Sequence, residues 1–403
     1  MKVCGIIAEF NPFTNGHSYI ISQAKQITGL DILCLMSGNF VQRGELAIID
    51  KYKRSTTAIK EGASYVFELP TQYAISPAQN FAEGAIKTLD KLGIVSHLAF
   101  GVKLKDIEGL KKIAYIKANE PKIVKEKMKQ LVKLGLNYNS SIFNVYHELF
   151  PEFKSCLNEI QNEPNNILAL EYLTSIYKLK SNIQPVFINR IDNGYNSLRP
   201  IQLNINNKKQ AFVSASKIRE LINNNKRFAR YVPKNSLIYF KNFTSQDKQK
   251  LDDKFEALVV NNIRNKSYEQ LESLFDYNKN LAHIIKNAFE VNGSLPQIIQ
   301  ALKSKSLREK RIKRLLLYSL LNITKENYNL YCSSQFITLL AIDKTKKANL
   351  SKISKQSSLN MIVSQKDLKT LEEKNIKTLE QENTNIYNIL HSKPYSQDLT
   401  MFI

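Results

Sequence analysis

Short, mainly apolar runs at Val3–Ala8, 32–36, Tyr65–Leu69 and 96–100 alternate with stretches whose apolar positions recur at helical spacing. The spacing predicts helices over about 18–28, 51–61 and 79–92. Continuous apolar strands separated by helices are buried on both faces, which argues an α/β fold with a doubly wound, parallel, Rossmann-like sheet. From about 103 to 135 the pattern is helical and Lys-rich, an insertion packed on the sheet and ending near 160. A further strand is expected over 183–188, ending at Arg190, with helices opening at Asn165-Asn166 and at Ser214. Beyond 234 the periodicity is mainly helical, and residues 302–321 place Ile312, Leu315, Leu316 and Leu320 on one face. Short strand-like runs occupy 336–363, and the remaining tail fits no motif. The expected division is a nucleotide-binding region over 1–233 and a mainly helical, basic region over 234–403.

With 403 residues and 43% hydrophobic composition the chain is globular and long enough for two domains at about 150 residues each. Lys and Arg number 58 against 36 Asp and Glu, a formal charge of +22. Such an excess favours a polyanionic partner, nucleic acid before membrane. A solvated Lys- and Asn-rich surface explains the same charge without any partner. No run suits a bilayer. Cys4, Cys34, Cys156 and Cys332 lack metal or redox-pair spacing and are expected to be reduced and buried. The first residues read as a strand rather than a signal peptide, so a cytoplasmic location is expected.

The unusual residues sit where strands end. After the first strand come Asn11-Pro12-Phe13-Thr14-Asn15-Gly16-His17, then a helix. In open α/β sheets ligands lie beyond the carboxyl ends of strands, where the N–H groups opening the next helix point at an anion. Gly16 lets the backbone come close, and His17 can donate to a phosphate oxygen as charge builds during transfer. Alone, Thr-x-Gly-His reads equally well as a helix start with one satisfied histidine; the preceding strand, the Asn-Pro turn and the following helix favour phosphate. The second strand ends in Ser37-Gly38-Asn39-Phe40-Val41-Gln42-Arg43-Gly44, and the fourth at Gly101. Ser214-Ala215-Ser216-Lys217-Ile218-Arg219 combines hydroxyls, helix N–H groups and two cations, which suits polyphosphate.

These motifs, in this order, resemble the HIGH-type nucleotidyltransferase superfamily. More closely, residues 5–19 together with Met36-Ser37-Gly38-Asn39-Phe40-Val41-Gln42-Arg43-Gly44-Glu45, Phe67-Glu68-Leu69-Pro70, Phe81-Ala82-Glu83-Gly84-Ala85 and 164–173 are similar to the bacterial tRNA(Met) cytidine acetate ligases. The resemblance implies that ATP activates acetate as acetyl-adenylate, and that the acetyl group passes to N4 of the wobble cytidine of elongator tRNA(Met), giving N4-acetylcytidine. It places ATP against Ile7, Ala8, Glu9, Phe10, Asn11, Pro12, Phe13, Thr14, Asn15, Gly16, His17, Ser18, Tyr19 and Ile20, with further contacts at Gly101, at Asn165 or Asn166, and at Arg190. The superfamily position of the later helix adds Ser216 and Lys217.

On this reading His17 and Thr14 face the α-phosphate, and Lys217 with Arg219 neutralises departing pyrophosphate. Asn39, Gln42 and Arg43 lie on the acyl or target-base side. Arg308, Lys310, Arg311, Lys313 and Arg314 form a candidate track for the tRNA backbone, for which a solvated helix face is the plain alternative. Mg2+ is expected with ATP, although no carboxylate pair marks a metal site. The expected partners are elongator tRNA(Met) and acetate, neither DNA nor membrane. The chain departs from the family pattern at Thr14, where the ligases usually carry His, at Gly101-Val102-Lys103, which lacks an acidic residue, and at Gly194-Tyr195-Asn196, where Gly-Tyr-His is usual. Two other readings use the same residues. One is a small-molecule adenylyltransferase, against which the long basic second half argues; the other is a non-catalytic RNA-binding descendant, against which Gly16, His17, Gly101 and Arg190 argue.

Overall fold

The computed structural model describes residues 1–133, 138–191, 201–205, 208–241, 243–304, 307–394 and 401–403. In chain order its strands are β1 (Val3–Ala8), β2 (Asp31–Ser37), β3 (Phe40–Val41), β4 (Glu45–Leu46), β5 (Tyr65–Leu69), β6 (Val95–Val102), β7 (Gln184–Asn189), β8 (Ile201–Ile205), β9 (Lys208–Phe212), β10 (Phe336–Ile342), β11 (Asn360–Ile362) and β12 (Met401–Phe402). The main sheet has the order β11-β10-β5-β2-β1-β6-β7, with β12 on β10. From β5 to β7 every pairing is parallel. The strand order reverses between β1 and β6, which makes that point the crevice of the sheet.

Alternate residues of the central strands feed two cores, which is why their sequences are continuously apolar. Val3, Leu33, Leu35 and Phe67 pack with Phe81, Ala85 and Leu173 from the helices Ala78–Lys91 and Pro164–Lys178. Cys4, Ile6, Cys34 and Met36 pack on the other face with Ile21 and Ala24 of α1 (Asn15–Thr28) and Ala58 of α2 (Lys51–Lys60). The expected insertion is helical: Leu110, Ile113, Leu157 and Ile160 seat Ile107–Asn119 and Lys154–Asn162 on the first core. Cys4, Cys34 and Cys156 are buried thiols, and Cys332 is partly exposed. Among the described residues no helix is long and apolar enough to cross a membrane.

The sheet draws on the later part of the chain as well. β10 runs antiparallel to β5, pairing Leu339 with Phe67 and Ala341 with Val66, and covers an edge that would otherwise leave a buried strand unpaired. Helices Ser245–Asn265, Lys279–Val291, Leu295–Leu302 and Glu309–Leu320 form a third core around Val259, Ile285, Phe289 and Leu316, and this core includes Phe40 and Ile75. The face expected from Ile312, Leu315, Leu316 and Leu320 is buried on one helix, but the helix starts only at Glu309, because Arg308 is extended. The tail without a motif forms Leu371–Leu390, a helix whose buried face carries Lys377, Glu380, Gln381, Asn383 and Asn388 among its apolar residues. Tyr387 Oη donates to Ala47 O at 2.8 Å, and Glu380 accepts from Thr71 N–H at 3.0 Å and Thr71 Oγ1 at 2.6 Å. These three bonds tie the tail to the carboxyl edge of the sheet.

The β3–β4 turn docks on the helical region through Gly44. Its φ is +74°, and a Cβ there would lie 2.5 Å from the backbone nitrogen of Arg314 and the carbonyl carbon of Lys313. Overpacking against backbone and a left-handed side chain both oppose substitution, so Gly44→Ala is expected to cost about 2–4 kcal/mol. Urea denaturation of the two proteins checks this through a lowered midpoint at unchanged slope.

Candidate nucleotide-binding active site

A cavity of about 370 Å³ opens beyond the carboxyl ends of β1 and β6. Three helix amino termini line it: α1 through His17, Ala215–Asn223 through Ser214, Ala215 and Ser216, and Pro164–Lys178 through Pro164 and Asn165. None of these helices has an acidic residue in its first turn. Their N–H groups and dipoles therefore present a positive wall suited to phosphate.

The histidine is held from three sides. Phe10 leaves β1 at φ 49°, a left-handed conformation that costs an aromatic residue energy and is typical of functional sites. Its ring meets that of Phe13 at 4.6 Å and the edge of His17 at 5.0 Å, while Phe13 lies 5.5 Å from His17. Thr14 caps α1: its Oγ1 accepts from His17 N–H at 3.4 Å, and its own N–H donates to His17 Nδ1 at 3.0 Å. An accepting Nδ1 puts the ring proton on Nε2. Burial, with the charge of Arg190 added, pushes the His17 pKa down to about 3. At neutral pH the cavity therefore meets an uncharged imidazole offering Nε2–H.

Thr14 bonds His17 at the start of its own helix. It is 3% exposed, does not line the cavity and is engaged as a helix cap, which corrects the expectation that it faces the α-phosphate. Of the expected loop, Ile7, Ala8, Glu9, Phe10, Asn11, His17 and Ile20 line the cavity. Pro12, Phe13, Asn15, Gly16, Ser18 and Tyr19 do not. Asn15 Nδ2 donates to Ala211 O and Arg230 O, Ser18 Oγ to Glu61, and Tyr19 stands edge-on to Phe212. Helical geometry turns these residues away from the cavity. A Cβ on Gly16 would meet only Thr14 Oγ1, at 3.4 Å.

The cations are distributed differently from expectation. Ser216 and Arg219, three residues apart, share the helix face that lines the cavity, whereas Lys217 points elsewhere and pairs with Glu220 at 2.6 Å. Arg219 Nη1 donates to Asn11 O at 2.6 Å. Lys310 and Arg314, one helical turn apart, also line the cavity. Arg311 forms a bidentate pair with Asp276, Lys313 bridges Glu45 and Glu309, and Arg308 precedes the helix without a side-chain capping bond. With Arg43 and Arg190 the cavity gathers five basic side chains. Gly101 makes room for one of them, since a Cβ there would lie 2.9 Å from Arg190 Cγ.

Of the amide pair, Asn165 lines the cavity, while Asn166 is buried and bonds Lys103 N, Lys103 O and Glu159 O, fastening the insertion. Asn39 likewise builds structure, its Oδ1 accepting from Lys51 N–H at 3.0 Å; Gln42 and Arg43 face the cavity. Gly194-Tyr195-Asn196 lies outside the described residues. The apolar wall of Phe81, Phe100, Leu168 and Tyr172 was not legible as a site, because in sequence these are ordinary core residues. Glu9 is the one carboxylate among the described lining residues. Burial raises its pKa, against the pull of Gln42 N–H, Arg43 and Arg219. A lone carboxylate amid cations does not fit a protein-held divalent metal, and no cluster of His, Cys, Asp and Glu that could hold one occurs among the described residues.

Two outcomes follow. Gly16→Ala is expected to leave stability unchanged or up to about 1 kcal/mol higher, because alanine suits a helix, and to leave ATP binding unchanged, because this position does not line the cavity; thermal denaturation and ATP titration check the two. His17, with a folded pKa below its ordinary 6.5, stabilises the fold fully above that value and loses its contribution as pH falls from 6.5 toward 3. Comparison with His17→Asn at pH 7.5 and 5 should show the parent losing stability more steeply on acidification.

A family model described as HIGH Nucleotidyl Transferase matches residues 1–401. The tRNA(Met) cytidine acetate ligase of Clostridium perfringens (strain SM101 / Type A) is 35% identical over 403 residues, 97% of this chain and 96% of that protein. The enzyme of the same name from Acetivibrio thermocellus is 32% identical over 378 residues, 91% and 89%. The apo crystal structure of Thermotoga maritima TmcAL matches with a TM-score of 0.88 at 25% identity, covering 100% of both chains. TmcAL bound with alpha-thio ATP matches with a TM-score of 0.84 at 26% identity, covering 97% of this chain and 95% of that one. A HIGH nucleotidyltransferase by its family model and by its fold, the chain belongs to the tRNA(Met) cytidine acetate ligase family.

Proposed function

We propose that the protein is an ATP-dependent ligase that forms acetyl-adenylate and transfers the acetyl group to N4 of the wobble cytidine of elongator tRNA(Met). The observation that carries this reading is the cavity at the switch point, where three helix amino termini, the neutral His17 and five cations face a space with one carboxylate. The related fold that holds an ATP analogue supports it.

In the first step an acetate oxygen bonds to the α-phosphorus and the α–β bridging bond breaks, releasing pyrophosphate. Negative charge grows on the leaving group, and Arg190, Arg219 and Lys310 offset it. His17 Nε2–H donates to the α-phosphate without a proton changing hands, as its low pKa requires. In the second step the cytidine amine attacks the acyl carbon and AMP leaves. An aromatic amine is a weak nucleophile, so the anhydride supplies the reactivity and the site supplies position. Among the described residues no donor set would hold Mg2+, so any Mg2+ would enter with the nucleotide. The +22 charge suits a tRNA partner, and the cytoplasm is the compartment in which such a substrate is met.

The test is pyrophosphate release from ATP with acetate, with and without unmodified elongator tRNA(Met), followed by nucleoside mass analysis. Acetate-dependent release together with N4-acetylcytidine is expected. Pyrophosphate without modified RNA points to another adenylyl transfer, and neither product to an RNA-binding protein.

A further inference from the structure

Buried donors without an acceptor are rare in folded proteins, yet three residues that line the nucleotide cavity each carry one. Asn11 Nδ2, Gln42 Nε2 and Arg314 Nε are shielded from solvent and have no hydrogen-bond partner. They come from the loop after β1, the β3–β4 turn and the helix Glu309–Leu320, and the hairpin brings them together. Asn11 Oδ1 accepts from Ile48 N–H at 2.8 Å, just beyond β4. Gln42 sits in the turn itself, and Gly44 lies against the backbone of Lys313 and Arg314. Because Ile48 N–H fixes the orientation of the Asn11 amide, its remaining atom is a donor.

Donors of this kind call for a compact acceptor. Polyphosphate is a poor match, since two of the three groups are neutral amides and the Glu9 carboxylate, accepting Gln42 N–H at 2.9 Å, stands beside them. The phosphates have the helix amino termini and His17 instead. A short monocarboxylate carries one charge over two oxygens and is satisfied by a few converging donors.

Resting on the acyl-adenylate chemistry proposed above, we infer that Asn11 Nδ2, Gln42 Nε2 and Arg314 Nε form the subsite for the acyl substrate. They hold one carboxylate oxygen while the other bonds to the α-phosphorus and pyrophosphate departs with the electron pair of the broken bond. The held oxygen becomes the carbonyl of the acyl-adenylate and then the oxyanion formed when the amine adds, the stage at which fixed donors stabilise most.

Asn11→Asp and Gln42→Met in the full chain test this. The first keeps the acceptor for Ile48 N–H and removes the donor. The second keeps the backbone bond to Glu9, so a folded variant remains even if the first does not fold. Pyrophosphate release is measured with acetate and ATP varied separately, and a non-hydrolysable ATP analogue is titrated. Loss of one donor to a charged group predicts an acetate KM raised roughly ten- to hundredfold, with analogue affinity within about twofold of the parent. An unchanged acetate KM, or analogue affinity falling in parallel, overturns the subsite. If the parent protein itself shows no acetate-dependent release, the proposed function fails first and takes the subsite with it.

Discussion

The Arg54 guanidinium, 1% exposed, donates to Glu9 O at 2.6 Å, Ser37 O at 3.1 Å, Ile49 O at 2.7 Å and also to Gly38 O. Those carbonyls end β1, end β2 and close the excursion through β3 and β4. Strand ends at the carboxyl edge of a parallel sheet leave carbonyls that neither the ladder nor solvent satisfies, and one planar group with five N–H donors serves four of them. Burial lowers the pKa of Arg54, opposed by Tyr387, Asp50, Glu9 and Glu68. Everything that shapes the cavity from β1 and the hairpin hangs on this clamp.

A second buried charge group extends the clamp to the tail. Lys51 Nζ pairs with both oxygens of Glu68 at 2.9 Å, and Glu380 from the tail helix packs nearby on Thr71. Burial and the charge of Glu68 push the Glu380 carboxyl up to about 7. Such a network contributes little net stability, but breaking one member leaves a buried charge alone, which penalises any other placement of the tail. The active edge is thus a joint product of distant segments. Residues 9–11, the hairpin, α2, the basic helix and the tail meet there, and the requirement for position in acyl-adenylate chemistry is met by their mutual packing.

The threonine that departs from the family pattern has a clear physical role. As a helix cap its Oγ1 accepts from the His17 backbone N–H, while its own backbone N–H donates to His17 Nδ1 and so sets the tautomer of the ring. The short hydroxyl side chain suits a cap because it reaches the N–H groups of its own helix.

Local pattern by itself determined the parallel core. Val3–Ala8 and Tyr65–Leu69 are strands with the bounds read from their apolar runs, because a strand buried on both faces has no other composition available. The helix start at Ser214 was legible as well, whereas the first helix, read from about residue 18, begins at Asn15 under the Thr14 cap. Only the tertiary structure decided which cations meet the ligand. Lys217 and Arg219 look alike in sequence, yet helix rotation sends one to Glu220 and the other to the cavity. Lys310 and Arg314 read as part of a surface track until the Gly44 turn brought their helix to the site, a contact across some 270 residues that no local period encodes. The tail helix was hidden for the opposite reason: its buried face is polar, and polar residues signal burial only when their partners, Thr71 and Glu68, are known.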